Sequence, residues 1–160
     1  MGSGTMILSE SYEQLKPACI EDVGAVLELI RPLEANGTLV RRSREVLENE
    51  IERFTLIERD GFVIGCAALY PFIEEKVGEL ACVVVAAEYK GGARGDELLR
   101  AVEKQARQQG LEKLFVLTTK TAHWFLERGF VESNVNQLPN EKKALFNLQR
   151  NSKVFIRDLG

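Results

Sequence analysis

The stretch that decides the fold is Val77-Gly-Glu-Leu-Ala-Cys-Val-Val-Val85, followed shortly by Tyr89-Lys-Gly-Gly-Ala-Arg-Gly-Asp96. The first part is almost continuously apolar and has the length of a strand, which is typical of a central position in a sheet. The second part is rich in glycine and leads into a helical pattern from Asp96 to Gln109, which ends at Gly110. The order strand, glycine-rich loop, helix predicts an α/β domain.

Upstream of this stretch, the sequence predicts two helices and a hairpin. Apolar residues within 23–30 have helical spacing, and Pro32 is expected to end that helix. Ser43 is a suitable N-terminal cap for a second helix that ends near Phe54. Two strand-like runs then flank Asp60-Gly61, a dipeptide favoured in tight hairpin turns because both residues tolerate positive φ.

Downstream, the pattern returns to alternating strands and helices. Leu114-Phe-Val-Leu-Thr118 predicts another buried strand, and residues 121–128 predict a short helix that ends at Gly129. Lys153-Val-Phe-Ile-Arg157 predicts a last strand in the sheet. Residues 134–151 show no consistent period, so no element is predicted there.

Composition sets the broad class of the protein. The 160 residues, 45% hydrophobic and 28% charged, suit one packed domain. A net charge of -3 argues against a general nucleic-acid binder. No apolar run approaches the ~20 residues needed to cross a bilayer, and the first residues lack the apolar core of a signal peptide. We therefore expect a cytoplasmic protein with no nucleic-acid or membrane partner.

The cysteines and the histidine do not suggest a metal site. Cys19, Cys66 and Cys82 stand singly in apolar stretches without the paired spacing of zinc ligands, so we predict that all three are buried in the core. His123 is the only histidine, and one imidazole cannot form an ordinary metal centre.

The glycine-rich loop is a candidate anion site. Because Gly91, Gly92 and Gly95 lack side chains, a ligand could approach the backbone N–H groups at a helix N-terminus, where Lys90 and Arg94 add positive charge. The loop matches neither the G-x-G-x-x-G fingerprint nor a P-loop. Taken alone, the loop is a weak signal, and a turn that binds nothing is the favoured interpretation.

Two landmarks resemble the GNAT acetyltransferases. Residues 90–95 resemble the family's Q/R-x-x-G-x-G/A motif, with departures at Lys90 and Ala93, and Trp124-Phe-Leu-Glu-Arg-Gly-Phe130 is similar to its aromatic pair before Gly-Phe. The resemblance implies the GNAT acyl-CoA N-acyltransferase fold, α/β (α+β), with a mixed central sheet of about six or seven strands flanked by helices. It also implies acetyl-CoA as cosubstrate and no metal.

Four further segments resemble the acetyltransferase domain of the bacterial N-acetylglutamate synthases. They are Ile30-Arg-Pro-Leu-Glu34, Leu39-Val-Arg-Arg-Ser-Arg-Glu45, Gly78-Glu-Leu-Ala-Cys-Val-Val-Val85 and Arg150-Asn-Ser-Lys-Val154. The resemblance, over residues 15–160, implies acetyl transfer from acetyl-CoA to the α-amino group of L-glutamate, the first step of arginine biosynthesis. For the full-length enzyme, the resemblance further implies a preceding amino-acid-kinase-like domain, which would hold the arginine feedback site, and a homo-oligomer. Residues 1–14 are expected to be a tail or the remnant of an interdomain linker, in either an excised domain or a native short synthase.

The same resemblance implies a set of site residues. Glu79 is the implied general base, acting through water, and Thr118 lies near the leaving thiolate. By the same resemblance, the N–H groups of Val83 and Val85 are the expected donors to acetyl-CoA, with Val83 at the carbonyl oxygen. The remaining cofactor residues are Lys90, Gly91, Gly92, Ala93, Arg94, Gly95, Asp96 and Phe125, and the implied acceptor site consists of Arg42, Arg150, Ser152 and the Cys82 backbone.

Two other functions remain open at this point. One is a GNAT N-acetyltransferase for another small amine, such as a different amino acid, a polyamine or a protein amine. A cationic acceptor would fit poorly between Arg42 and Arg150. The other is a non-catalytic acyl-CoA-binding regulatory domain, which the departures at Lys90 and Ala93 allow and the retained Glu79 disfavours.

Overall fold

The computed structural model describes residues 12–118, 120–140, 142 and 153–160. Within these ranges the chain forms a seven-stranded sheet of order β1-β2-β3-β4-β5-β7-β6, with four α-helices. The strands are β1 (Glu13–Pro17), β2 (Phe54–Arg59), β3 (Phe62–Phe72), β4 (Val77–Val85), β5 (Lys113–Thr118), β6 (Val131–Ser133) and β7 (Lys153–Asp158). The helices are α1 (Val23–Ala35), α2 (Arg44–Glu50), α3 (Arg94–Gln108) and α4 (Ala122–Leu126).

The sheet is mixed, as predicted. Strands β1 to β4 pair antiparallel in sequence order, and β4 pairs parallel with β5, which is antiparallel to β7. The hairpin between β2 and β3 turns at Asp60 and Gly61, whose φ angles are 50° and 87°. Both angles are positive, so the turn predicted from this dipeptide is confirmed. The apolar strand β4 lies in the middle of the sheet, also as predicted.

Helices cover both faces of the sheet and bury two main apolar clusters. On one face α3 contributes Leu98, Leu99, Val102 and Ala106, which pack against residues of the sheet such as Leu80 and Leu114. On the other face α1 and α2 contribute Val23, Val26, Ile30 and Leu47, which pack near Cys66 and Cys82. The central strand β4 is therefore covered from both sides, which explains its continuous apolar sequence.

The first two helices differ in their ends from the sequence prediction. Pro32 lies inside α1, and the helix continues to Ala35. A proline in the last turn removes one N–H group, and the buried contacts of Ile30 and its neighbours hold the helix beyond it. Ser43 caps α2 as predicted, accepting the Val46 N–H at 3.1 Å. That helix ends at Glu50, and a 3₁₀ turn leads into β2.

Two short strands were not predicted. Strand β1 pairs with β2 from Glu13 onward, so it spans the predicted boundary between residues 14 and 15. Its sequence, Glu-Gln-Leu-Lys-Pro, is mostly polar because it lies at the edge of the sheet. Strand β6, from Val131 to Ser133, forms the opposite edge.

The three cysteines do not share one environment. Cys66 and Cys82 are buried, as predicted, but Cys19 is exposed, which contradicts the prediction for that residue. Cys19 occupies the turn before α1, where its N–H and thiol both donate to Asp22 Oδ2.

Across the described ranges, every helix is too short or too polar to cross a bilayer.

Candidate active site

A β-bulge interrupts the central strand at Cys82. Cys66 pairs with Val84 and Ala68 pairs with Ala81, so two residues of β4 lie opposite the single residue Ala67. Cys82 adopts φ of 53°, a left-handed conformation that costs a non-glycine residue about 1–2 kcal/mol. The Cys66 thiol donates to the Cys82 carbonyl oxygen at 3.3 Å, which satisfies an acceptor displaced from the regular ladder.

Side chains along β4 alternate between the two faces of the sheet, and the bulge shifts this alternation by one residue. Leu80 packs beneath α3, and three residues later Val83 packs against the same cluster, followed by Val85. In a regular strand, residues three apart would point to opposite faces. Cys82 and Val84 instead face α1 and α2.

Beyond the start of β4, the sheet opens between β4 and β5. These strands pair only where residues 77–79 meet residues 113–115, although β4 continues to Val85 and β5 to Thr118. A cleft of about 740 Å³ occupies this position. Six predicted site residues share its lining: Arg42, Glu79, Cys82, Val83, Thr118 and Phe125.

Glu79 marks the point where the two strands separate. It is the last residue of β4 paired with β5, and its side chain is 13% exposed. Its Oε1 atom lies 3.0 Å from the Nζ atom of Lys142. The sequence did not predict Lys142 as a site residue, because it lies in the segment without a regular pattern and reaches the cleft only through the tertiary fold.

Arg42 places a half-buried guanidinium in the cleft. Its main-chain N–H donates to Glu34 Oε2 at 2.8 Å, and its Nη1 donates to the Val40 carbonyl oxygen at 3.3 Å. Burial opposes the charge, but the electron-rich Cys82 and Tyr70 side chains and the Glu79 carboxylate favour it more, so the pKa of Arg42 is raised. The cleft therefore contains a permanent cation.

Tyr70 is a second residue of the cleft that the sequence did not single out. It lies directly opposite Glu79 in the pairing of β3 with β4. Its hydroxyl donates to Glu50 Oε1 at 2.8 Å, and the Arg53 guanidinium lies 5.2 Å from its ring centre. Burial, partly offset by Arg42, raises the pKa of Tyr70 far above its usual range, so this hydroxyl stays protonated. Only the register of β3 against β4 could have indicated its place.

The Cys82 thiol is poorly suited to nucleophilic chemistry. Burial raises its pKa to about 11, despite the opposing effect of Arg42. At neutral pH the group is therefore a neutral thiol. Among the described residues, no group of three or more His, Cys, Asp and Glu side chains is arranged to hold a metal ion.

Thr118 and Phe125 approach the cleft from the other side of the gap. The Thr118 hydroxyl is 2.8 Å from that of Thr121, and it accepts the Thr121 N–H at 3.1 Å. Phe125 is 6% exposed and packs edge-on against Trp124 and Phe130, with ring centres 5.0 and 5.4 Å away. Phe125 thus belongs to the core and to the cleft wall at once.

The glycine-rich loop leads from β4 to the N-terminus of α3. Gly91 has φ of 93°, and Ala93 is the residue immediately before the helix. The first N–H groups of a helix have no intrahelical acceptor, and the helix dipole makes this end positive. Lys90 is exposed beside the loop. This arrangement is suited to hold an anion.

The two charged residues at the start of α3 are engaged within the protein. Arg94 donates from Nε and Nη2 to Glu13 at 3.1 and 2.9 Å, and from Nη1 to the Tyr89 carbonyl oxygen. Asp96 accepts from Arg128 at 2.7 and 3.2 Å. Their side chains hold the loop in place, which leaves their main-chain N–H groups as donors.

Gly95 allows α4 to approach the first turn of α3. A Cβ atom at this position would lie 2.9 Å from Cζ2 of Trp124, closer than side-chain atoms pack. The Trp124 ring is itself held by the Arg128 guanidinium, 3.9 Å from its centre.

The predicted acceptor residues Arg150 and Ser152 lie outside the described residues.

Known proteins share both sequence and fold with this chain. An amino-acid acetyltransferase from Serratia proteamaculans is 61% identical over 99% of this chain and 36% of its own length. An amino-acid acetyltransferase from Pseudomonas aeruginosa is 59% identical, with 99% and 37% covered. The chain thus spans about a third of the length of these curated relatives.

Solved structures give the same result at the level of the fold. N-acetylglutamate synthase from Neisseria gonorrhoeae, complexed with coenzyme A and N-acetyl-glutamate, aligns with a TM-score of 0.90 and 39% identity over 94% of this chain and 36% of that one. A GNAT-family acetyltransferase from Staphylococcus aureus, 18% identical, shares the fold with a TM-score of 0.76 over 93% of this chain and its own entire length. The acetyltransferase (GNAT) family model matches residues 24–130. The chain therefore belongs to the GNAT family of acetyltransferases.

Proposed function

We propose that this chain transfers the acetyl group of acetyl-CoA to the α-amino group of L-glutamate, giving N-acetyl-L-glutamate and CoA. The observation that carries the proposal is the gap beside the bulged strand β4, because one cleft there contains both a carboxylate and a half-buried cation, Glu79 and Arg42. The amino-acid acetyltransferases with about 60% identity support an amino-acid acceptor. The gonococcal synthase, with its CoA and N-acetyl-glutamate, supports glutamate in particular.

The residues of the cleft suit each step of acetyl transfer. Glu79 accepts, through a water molecule, the proton that the α-ammonium group must lose, and the neutral nitrogen attacks the thioester carbonyl carbon. The N–H group of Val83 stabilises the negative charge that forms on the carbonyl oxygen. The C–S bond then breaks, and the CoA sulfur takes up a proton as the new amide nitrogen loses one.

The leaving thiolate is expected to lie near Thr118. If Thr121 donates in the 2.8 Å contact between their hydroxyls, Thr118 keeps its own proton available for the sulfur. Thr118 remains a hydrogen-bond donor in this scheme, because a threonine hydroxyl is too weak an acid to protonate the thiolate efficiently at neutral pH.

The pyrophosphate of acetyl-CoA is assigned to the loop before α3. Its anionic oxygens match unpaired N–H groups at the positive end of the helix, with Lys90 as an additional cation. The Val85 N–H and the Phe125 ring are assigned to the pantetheine arm. The proposed N–H donors belong to Gly91, Gly92, Ala93, Arg94, Gly95 and Asp96.

The acceptor is assigned to the part of the cleft around Arg42. Glutamate has two carboxylates, and a guanidinium can bind a carboxylate through two parallel hydrogen bonds. The Cys82 N–H is a further donor beside it. Arg150 and Ser152 remain predicted members of this acceptor site.

The setting of the domain is also part of the proposal. Because the relatives are about three times as long, we propose that the full-length enzyme has a preceding amino-acid-kinase-like domain and is a homo-oligomer. We place it in the cytoplasm, in the first step of arginine biosynthesis.

Release of free CoA thiol from acetyl-CoA by the purified chain tests the function. Glutamate is compared with other amino acids, with a polyamine and with no acceptor, and the product is identified by mass. We expect glutamate-dependent release, lowered about 10²- to 10⁴-fold in Glu79→Gln and unchanged in the exposed control Glu132→Gln. Preference for another acceptor would overturn the substrate, and acetyl-CoA binding without release would favour a regulatory domain.

A further inference from the structure

Lys142 and Glu79 form an ion pair in the cleft. The Nζ–Oε1 distance is 3.0 Å, and the side chains are only 19% and 13% exposed. Both residues line the cleft that also contains Arg42. An ion pair removed from water adds little net stability, because the loss of hydration offsets the attraction. Stability therefore does not explain why a lysine occupies this position.

Described residues at and just before Lys142 contact β4, β5 and the turn that precedes β4. Leu138 is 3% exposed and packs in a small cluster with Val77 and Phe115. The Asn140 N–H donates to Glu75 Oε2 at 3.2 Å, and the Lys142 N–H donates to the Pro139 carbonyl oxygen at 2.9 Å. The Lys142 main chain is thus placed within reach of Glu79, the residue at which β4 and β5 separate.

In this arrangement, the proposed base is bound to a cation. An oxygen of Glu79 that is bonded to the Lys142 ammonium is less available to accept a proton from an amine. A ligand that supplies another anion for Lys142 would free that oxygen. The required anion must lie close to the amine that Glu79 is to deprotonate.

The α-carboxylate of an amino acid satisfies this requirement. Two covalent bonds separate its carboxyl carbon from the α-nitrogen, so its oxygens lie roughly 3 Å from that nitrogen. An acceptor that brings its amine to Glu79 therefore brings its α-carboxylate to Lys142. We propose that Lys142 binds the α-carboxylate of the acceptor and in doing so releases Glu79 to act as the base.

This inference rests on the proposed function and extends it to the recognition of each carboxylate. Lys142 takes the α-carboxylate, which leaves Arg42 for the carboxylate of the acceptor side chain. An amine without an α-carboxylate leaves Lys142 on Glu79. The pair thus makes the site selective for amino acids over simple amines of the same size.

A cycle of variants and ligands tests the assignment. The proteins are the wild type, Lys142→Met, Lys142→Arg and, as control, Lys104→Met, which changes an exposed lysine of α3. The acceptors are L-glutamate, L-glutamine and L-isoglutamine, which have nearly the same shape. Glutamate has both carboxylates, glutamine has an uncharged amide in place of the side-chain carboxylate, and isoglutamine has one in place of the α-carboxylate. Kinetic constants are measured by thiol release, and acceptor affinities by calorimetry in the presence of CoA.

In Lys142→Met, a loss of affinity is expected only for acceptors that have a free α-carboxylate. Loss of one charge-assisted hydrogen bond should weaken the binding of glutamate and glutamine by about 30-fold in Lys142→Met. Isoglutamine should bind almost equally to the wild type and to Lys142→Met. Lys142→Arg should recover most of the loss, and Lys104→Met should match the wild type.

Two results would overturn the assignment. Equal losses for all three acceptors would mean that Lys142 has a structural role only. A loss for glutamate and isoglutamine that spares glutamine would place Lys142 at the side-chain carboxylate. Because calorimetry needs no turnover, a wild type that binds glutamate but releases no thiol would contradict the proposed activity while the cycle still tests Lys142.

Discussion

The role of Arg42 depends on where its side chain lies, and the adjacent Arg41 shows the contrast. Its position is fixed through its own main chain by Glu34, a residue of α1, and its guanidinium extends into the cleft towards Tyr70 and Cys82. Arg41, the next residue along the chain, is exposed. Two adjacent arginines therefore have different roles, which gives a matched pair for mutation.

Replacement of Arg42 by alanine should weaken glutamate binding without affecting acetyl-CoA. Loss of a charge-assisted contact of about 2 kcal/mol corresponds to a rise of about 30-fold in KM for glutamate. Arg41→Ala should leave both KM values unchanged. The measurement is thiol release at varied glutamate and varied acetyl-CoA. An unchanged glutamate KM in Arg42→Ala would remove this residue from the acceptor site.

The sequence indicated the residues of the cleft that lie within recognisable motifs. Glu79 and Cys82 belong to the apolar stretch of β4, and Thr118 ends the next buried strand. Lys142 was missed because it reaches Glu79 from a segment distant in sequence, and Tyr70 was missed because only the register of the hairpin formed by β3 and β4 places it opposite Glu79. A local pattern has no information about such contacts.

At the level of elements, the N-terminus of α3 depends on the close approach of α4. The two helices are joined by the contact of Trp124 with Gly95 and, just beyond the end of α4, by the ion pair of Arg128 with Asp96. The loop that is assigned to the pyrophosphate lies just before this junction. A displacement of α4 should therefore change the position of this loop and the affinity for acetyl-CoA.

Gly95→Ala should lower both stability and acetyl-CoA affinity. Alanine normally stabilises a helix relative to glycine by about 1 kcal/mol, but here its Cβ would displace the Trp124 ring, and overpacking costs about 1–3 kcal/mol. Gly24→Ala in α1 is the matched control, since the nearest atom lies 3.9 Å from its Cβ. Urea denaturation and acetyl-CoA titration measure both effects. If Gly95→Ala is as stable as Gly24→Ala, Trp124 does not constrain this position.

Most elements could be predicted from the sequence because their periodicity reflects burial. The pattern failed where burial is one-sided or slight, as in the short edge strands β1 and β6. It also failed at Pro32, where tertiary packing outweighs a local preference. The bulge at Cys82 left no local signal, because only the pairing with β3 reveals the extra residue.

At the level of the whole molecule, Glu13 connects the edge of the sheet with the cofactor loop. Its carboxylate, on β1, bonds to Arg94 at the start of α3 and to Arg59 on β2 at 2.9 Å. The Arg94 hydrogen bond lowers the pKa of Glu13, burial raises it, and Arg59 lowers it further, so the folded value lies below the ordinary 4.5. A residue near the start of the domain thereby supports a loop far along the chain.

Glu13→Gln should change how stability depends on pH. A carboxylate whose pKa is depressed by folding stabilises the fold above its unfolded pKa and loses that contribution as pH falls through the folded pKa. At pH 7 the variant should be less stable by about 1 kcal/mol. Below pH 4.5 the wild type should lose stability more steeply, so that the two curves converge. Urea titrations across this range measure the effect, and parallel curves would contradict it.

The separation of β4 from β5 should leave a signature in amide hydrogen exchange. The central strand of a sheet normally has the slowest exchange, because both of its edges are hydrogen-bonded. Here only residues 77–79 have partners in β5, so amides of residues 80–85 that face the gap should exchange quickly, while alternate amides bonded to β3 stay protected. A thioester ligand bound along this edge should slow the fast set and leave the protected set unchanged.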